Sequence, residues 1–311
     1  MLSRVADNLY WFGRYIERTE HVSRFLRVQY FSSLEIQSDR QIDLALKSIL
    51  SMVDVEYHED NLLEEYALVS VAMDISNPLS IKSCIQNARE NLRGSRDHIS
   101  AELWQLVNKY YRFIVDYPEE YYKTQGLYEF TQKALENCAI IKHSIQNSML
   151  HDEAWAFMKM GIHLERSIQI LRIILIKIQD IQKLEENAMP ASVISYEVAT
   201  LLKSLEALDM YKRVYRTSPS TNQAIEFLVL NTVFTRSVTY NMASLQQFLL
   251  DIRPNRIIGP NTVTWNVGRT TEHLKYCTSE DIDKKPVEFL NKILNQIFNF
   301  HNLLTKEYLL Y

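Results

Sequence analysis

An all-α fold, a multi-helix bundle, is predicted from three observations. Glycine and proline are scarce, six and seven in 311 residues, where an average chain holds about 12% of the two together. Apolar residues recur at helical spacing along nearly the whole chain, and no segment shows a compelling strand alternation. A pattern carried by one long helical segment returns in a second and, more faintly, in a third. The shortage of glycine speaks against β-sandwiches and against folds built on glycine-rich nucleotide loops. An apolar share of 47% with 23% charged residues is the balance of a soluble globular protein and excludes disorder over most of the length. The chain is read as a single domain, 1–311.

The elements follow in order. The first helix starts just after Ser3, its N-cap, and runs to about Leu34. Asp39 caps a second through about Met52, and 59–74 is a third, ended by Asn77-Pro78. Segments 80–93 and 96–116 form a helix pair around Gly94-Ser95, closed by Pro118. Further helices fit 125–148, 151–187, 190–208, 222–251, 266–277 and 284–309. Pro254, Gly259 and Pro260 mark one long loop, 252–265.

The repeat is Gly13-Arg14-Tyr15-Ile16-Glu17-Arg18-Thr19 in the first helix and Gly161-Ile162-His163-Leu164-Glu165-Arg166-Ser167 in the 151–187 helix. In both, an apolar-Glu-Arg-Thr/Ser run follows a glycine by three residues. A fainter copy, Asn231 to Phe234-Thr235-Arg236-Ser237, falls in the 222–251 segment. The period is too long for a solenoid and predicts three similar long helices.

Several chemistries are excluded or unsupported. A net charge of −4 suggests no polyanion partner, so no nucleic acid is expected. The apolar run 171–178 carries Arg172 and Lys177 and is too short to span a bilayer, so no membrane is expected. The N-terminus lacks the apolar core of a signal peptide. Cys84, Cys138 and Cys277 form no disulfide framework and no metal knuckle, so a cytoplasmic protein with reduced thiols is the natural reading. There is no GxGxxG, no phosphate loop, no GxSxG, no HExxH, and no histidine with a glutamate three residues upstream. No metal or cofactor is expected.

The repeat carries the candidate site. On a helical wheel Val5, Leu9, Phe12 and Ile16 form one apolar stripe, the core face. Tyr10, Arg14, Glu17, Arg18 and His21 gather on the other side, flanked by Trp11, Val22 and Phe25. In the second copy Met158, Ile162 and Gln169 replace Tyr10, Arg14 and His21 around Glu165 and Arg166, which points to a buried pair. Buried charges must be paired, and the planar fork of arginine suits a carboxylate. Thr235 replaces glutamate in the third copy, leaving Arg236 to find its anion at Glu17, Glu165 or a bound ligand. Two readings stand: the pairs lock helices in register, or two or three arginines converge on a pocket for a carboxylate or phosphate. Within the second reading Arg166 is assigned the structural role and Arg18 the ligand-facing one.

A second cluster is Arg89-Glu90-Asn91, Arg96-Asp97, Glu102-Leu103-Trp104 and Asn108, beside the break at Gly94-Ser95. It is read as the edge of a site or, more plainly, as surface charge with Trp104 in the core. The Lys212-Arg213 and Arg216 cluster reads as a basic helix end.

The run from Ser3-Arg4-Val5-Ala6-Asp7-Asn8-Leu9-Tyr10-Trp11-Phe12-Gly13-Arg14 to Glu17-Arg18 resembles the Alpha-E family, a bacterial helical domain named for its Glu-Arg motif. Ala88-Arg89-Glu90-Asn91, Arg96-Asp97, Glu102-Leu103-Trp104, the Gly161-to-Arg166 copy and Arg236-Ser237-Val238 fit as well. Ile162 and His163 stand where the family often has Arg and Tyr. The resemblance implies a setting: members are encoded beside, or fused to, circularly permuted ATP-grasp amide ligases, often with transglutaminase-like proteins. It implies an accessory or substrate-binding component of a peptide- or amide-forming system. Two alternatives remain, an enzyme acting on a peptide or amide through the Glu/Arg/Tyr cluster, and a purely structural helical interaction protein. A neighbouring arginine lowers a carboxyl pKa, which argues against Glu17 or Glu165 as a general acid.

Overall fold

The computed structural model of the protein describes residues 1–36, 39–57, 63–252 and 257–309, with only the backbone of Ile36, Asp39 and Arg40. The expected capping by Asp39, the start of the 59–74 segment and Pro254 lie outside what is described. Among the described residues the chain is all-α, with no strand. Its helices are α1 (Ser3–Ile36), α2 (Asp39–Ser51), α3 (Glu64–Ala72), α4 (Ile81–Arg93), α5 (Ala101–Val115), α6 (Glu119–Tyr121), α7 (Leu127–Asn147) and α8 (Glu153–Glu186). They continue with α9 (Ala191–Ser204), α10 (Leu208–Tyr215), α11 (Thr221–Leu230), α12 (Val238–Ile252), α13 (Val263–Tyr276), α14 (Ser279–Asp283) and α15 (Pro286–Leu304). No helix among the described residues is long and apolar enough to cross a membrane.

Two compact units divide the chain. The first joins Met1–Arg14 to His151–Tyr311, and the second is Tyr15–Leu150. In the first, α8 packs against α9, α12 and α15, and α12 packs against α13. In the second, α5 lies against α4 and α7, and α2 against α3. The predicted stripe of α1 is core: Leu9, Phe12 and Ile16 are fully buried and Val5 nearly so.

Side-chain caps explain several boundaries. Ser80, Ser100 and Asp152 accept backbone N–H bonds at the starts of α4, α5 and α8. Thr262 does the same for α13, which therefore begins at Val263, three residues earlier than expected. The pair around Gly94-Ser95 also differs, since Arg96–His98 is a 3-10 turn and α5 starts only after Ser100.

The largest correction is the 222–251 segment, which is two helices. Asn231 ends α11: its Oδ1 accepts the N–H groups of Val233 and Phe234 at 3.0 and 2.8 Å. Ser237 donates to the Asn231 carbonyl and accepts the N–H of Tyr240, which starts α12. Asn241 Nδ2 donates to the carbonyl oxygens of Thr235 and Ser237. Asn and Ser offer the backbone partners that compete with the helical ladder, so the third copy of the motif is a stitched turn. The expected 190–208 helix breaks as well, at Leu205, with Glu206 at a φ of 51°. The 284–309 segment resolves into α15 and a π-turn over Thr305–Leu309, and the short α14 before it was not expected.

Within the first unit, α1 and α8 touch backbone to backbone. A Cβ on Gly13 would stand 2.2 Å from the Met158 carbonyl oxygen, and one on Gly161 would stand 2.1 Å from that of Tyr10. Gly13 and Gly161 hold the same place in the two copies of the motif, as do Tyr10 and Met158, so the contact is reciprocal. Only glycine fits at either position. Gly13→Ala and Gly161→Ala are each expected to destabilise the protein by ~3 kcal/mol, whereas Gly259→Ala, where a Cβ meets no described atom within 4 Å, should leave stability within about 0.5 kcal/mol. Urea unfolding of the three variants checks the contrast.

Candidate functional site

The candidate residues divide between the two units. Tyr10, Arg14, Glu165, Arg166 and Arg236 belong to the first, and Glu17, Arg18, Arg89, Glu90, Arg96 and Glu102 to the second.

The first unit brings Tyr10, Arg14 and Glu165 together. The glycine contact sets α1 on α8 so closely that Arg14, one residue past Gly13, reaches Glu165, one turn past Gly161. Arg14 Nε donates to Glu165 Oε2 at 2.8 Å, with both side chains buried. The other carboxylate oxygen accepts from Gln169 Nε2 at 2.7 Å. The guanidinium also lies 4.5 Å from the centroid of the Trp11 ring, a cation–π contact strengthened by the burial of Arg14. The fully buried Tyr10 hydroxyl shares a 3.0 Å hydrogen bond with His301 Nδ1, and the two rings stack 8° from parallel. Burial pushes the Tyr10 phenol up to about 12, against the pull of the Arg14 cation. Tyr10 therefore stays protonated at neutral pH and serves as a hydrogen-bonding group rather than a base.

Glu165 takes its cation from Arg14, one turn before Arg18, and Arg166 is only half-buried. Arg236 pairs with Glu206 Oε2 at 2.5 Å, tying the turn that replaces the third helix to the break between α9 and α10.

In the second unit Glu17 is fully buried. It shares a 3.2 Å contact with His21 Nε2 and accepts from Lys142 Nζ of α7 at 3.2 Å. Lys142 also bonds Glu20, which Arg24 reaches at 3.0 Å. Two buried carboxylates thus meet a lysine, an arginine and a histidine in a network that ties α1 to α7. Arg18, half-buried, lies 5.8 Å from the Tyr15 ring centroid.

The other cluster of the second unit is open. Arg89 of α4 donates from Nε to Asn108 Oδ1 of α5 at 2.8 Å, and its guanidinium lies 4.7 Å from the Tyr111 ring and 5.7 Å from Trp104. Arg96 covers Trp104 at 5.3 Å. Glu90 binds both Arg89 and Arg93 at 2.7 Å. Glu102 is exposed in the first turn of α5, where its charge suits the helix dipole. Trp104 is half-buried, at the edge of the core rather than in it. A groove of about 540 Å³ is lined by Arg89, Trp104, Gln105, Asn108, Lys109 and Arg112. Among the described residues no group of three or more His, Cys, Asp or Glu is placed to hold a metal ion.

Lys142, Glu20, His301, Lys109 and Arg112 were not singled out from the sequence. Lys109 and Arg112 carry a usable signal, since they share a helical face with Trp104 and Asn108. Nothing in the sequence links Lys142 or His301 to the first helix.

The glutamate of each Glu-Arg step is thus the buried member, and the family with that signature matches almost the whole chain. The family model described as a predicted alpha-helical domain with a conserved ER motif matches residues 1–309. The chain belongs to the Alpha-E family. Uncharacterized proteins of Mycobacterium bovis and of two strains of Mycobacterium tuberculosis are each 21% identical to it over 282 residues, 82% of this chain and 31% of theirs. The chain spans about a third of the length of these curated relatives. No solved structure matches.

For an Alpha-E chain with Arg14 and Glu165 buried, removing either residue breaks a buried ion pair. Arg14→Ala is expected to cost about 3–5 kcal/mol, and the double variant Arg14→Met with Glu165→Gln about 2 kcal/mol less than that. Thermal melts of the two proteins test this; equal losses would mean that the ion pair is not what the single variant breaks.

Proposed function

We propose that the protein is a non-catalytic, substrate-binding component of an ATP-grasp-linked system that forms peptide or amide bonds, and that it holds a carboxylate or phosphate in the groove between α4 and α5. The single observation that carries the binding role is the lining of that groove: Arg89, Lys109 and Arg112 with the amides of Gln105 and Asn108 beside Trp104, and no carboxylate among the six. Arg89 is fixed by Asn108 and by its stacking on Tyr111, which leaves it oriented before a ligand arrives. The link to an ATP-grasp ligase is supported by the resemblance of the Glu-Arg segments to a family encoded with such enzymes. A transglutaminase-like protein is a second partner on the same ground.

The buried Arg14–Glu165 pair and the Glu17–Lys142 network favour a structural role for the buried Glu-Arg elements themselves. An enzymatic reading through Tyr10 is disfavoured by the raised pKa of its phenol. The expected outcome is co-purification with the ATP-grasp protein encoded beside it and ATP-dependent ligation that falls when this chain is left out. Arg89→Ala should lower ligation at least tenfold at limiting acceptor while leaving the complex intact. Ligation indifferent to the presence of the chain would overturn the proposal.

A further inference from the structure

The groove between α4 and α5 presents more cationic points than one carboxylate can use, and they are arranged in a row. Trp104, Asn108 and Arg112 follow one another at four-residue steps along α5, with Gln105 and Lys109 beside them. At 1.5 Å per residue, Trp104 and Arg112 are about 12 Å apart along the helix axis. Arg96 sits over Trp104 at one end. Arg89 is bound to Asn108 in the middle. Lys109 and Arg112 occupy the other end.

Three of these four cations have no carboxylate of their own. Arg96, Lys109 and Arg112 form no ion pair among the described residues, while Glu90, the nearest acid in sequence to Arg89, is shared between Arg89 and Arg93. Arg96, Lys109 and Arg112 are also exposed. Elsewhere on the same unit the contrast is plain. Lys123 meets Glu65, Glu119 and Glu120, and Lys133 meets Glu136. Uncompensated like charges in a row raise one another's energy, and a matching row of anions relieves it.

From this spacing we infer that the groove takes an extended acidic peptide segment, one with carboxylates on alternate residues, rather than a single carboxylate. In an extended strand alternate side chains point the same way and repeat about every 7 Å. Three acidic side chains at positions i, i+2 and i+4 then span about 13 Å, which matches the row from Arg96 to Arg112. The amides of Gln105 and Asn108 lie between the cations, where the peptide backbone passes. This inference rests on the anion-binding reading of the groove and names its ligand class.

The test is titration of the full chain at low ionic strength with acetyl-Glu-Gly-Glu-Gly-Glu-amide, whose only charges are its three side chains. Acetylglycine, inorganic phosphate and a single-stranded oligonucleotide of equal charge are the comparison probes. The pentapeptide is expected to bind at least tenfold more tightly than acetylglycine, to lose affinity as salt rises, and to lose at least tenfold when Lys109→Glu and Arg112→Glu are combined. Circular dichroism of that exposed double variant should match the wild type, which separates lost binding from lost fold. Equal affinity for acetylglycine and the pentapeptide would overturn the inference while sparing the anion groove. Tighter binding of the oligonucleotide would also overturn it, in favour of a polyphosphate ligand. Binding of none of the probes would remove both the inference and the anion-binding role.

Discussion

The approach of α1 to α8 through Gly13 and Gly161 is the constraint on which the first unit depends. Backbone atoms meet where side chains ordinarily separate two helices, and the contact works in both directions because each glycine faces the carbonyl of the residue three places before the other. Helices packed through ordinary side chains stand 8–10 Å apart, and at that spacing a partner one turn away is reached only by a long side chain. With the glycines in place, Arg14 lies against Glu165 with a full hydrogen bond, and the Trp11 ring closes over its guanidinium. The ion pair is a product of the crossing, and any added methyl group there separates both at once.

The two copies of the motif are alike in backbone and unlike in charge. Arg14 has Ile162 as its counterpart, so the cation that pairs with Glu165 has no equivalent at that place in the second copy. Glu17, the counterpart of Glu165, meets Lys142 and His21 within the second unit. Repeated sequence thus supports a conserved crossing while the polar groups around it diverge.

The all-α class and the long helices α1 and α8 were legible because their apolar spacing runs unbroken for many turns. Burial of the Glu-Arg glutamates was legible too, from the Met and Ile that surround Glu165. The break at 231–237 was not, because Asn231 and Ser237 act through hydrogen bonds to the backbone that leave the apolar periodicity intact. The same turn carries Arg236 to Glu206, a partner that helical geometry does not suggest. The open groove was half legible. Arg89, Arg96 and Trp104 cluster in sequence around a visible helix break, whereas Lys109 and Arg112 look like ordinary surface charge until α4 is laid beside α5.

The division of the chain has a consequence for its synthesis. The second unit is one continuous stretch, Tyr15–Leu150, and all its partners are available as soon as that stretch has left the ribosome. The first unit is interrupted: its opening turns, Met1–Arg14, wait for Gly161 and the residues beyond it. Closing that long loop costs entropy before any contact is gained, and the leading end of α1 is made well before the residues of its own unit that pack on it. Until then that end of α1, which carries the buried Leu9 and Phe12, lacks the backbone contact that Gly161 supplies, and late closure of this kind is where misassembly enters.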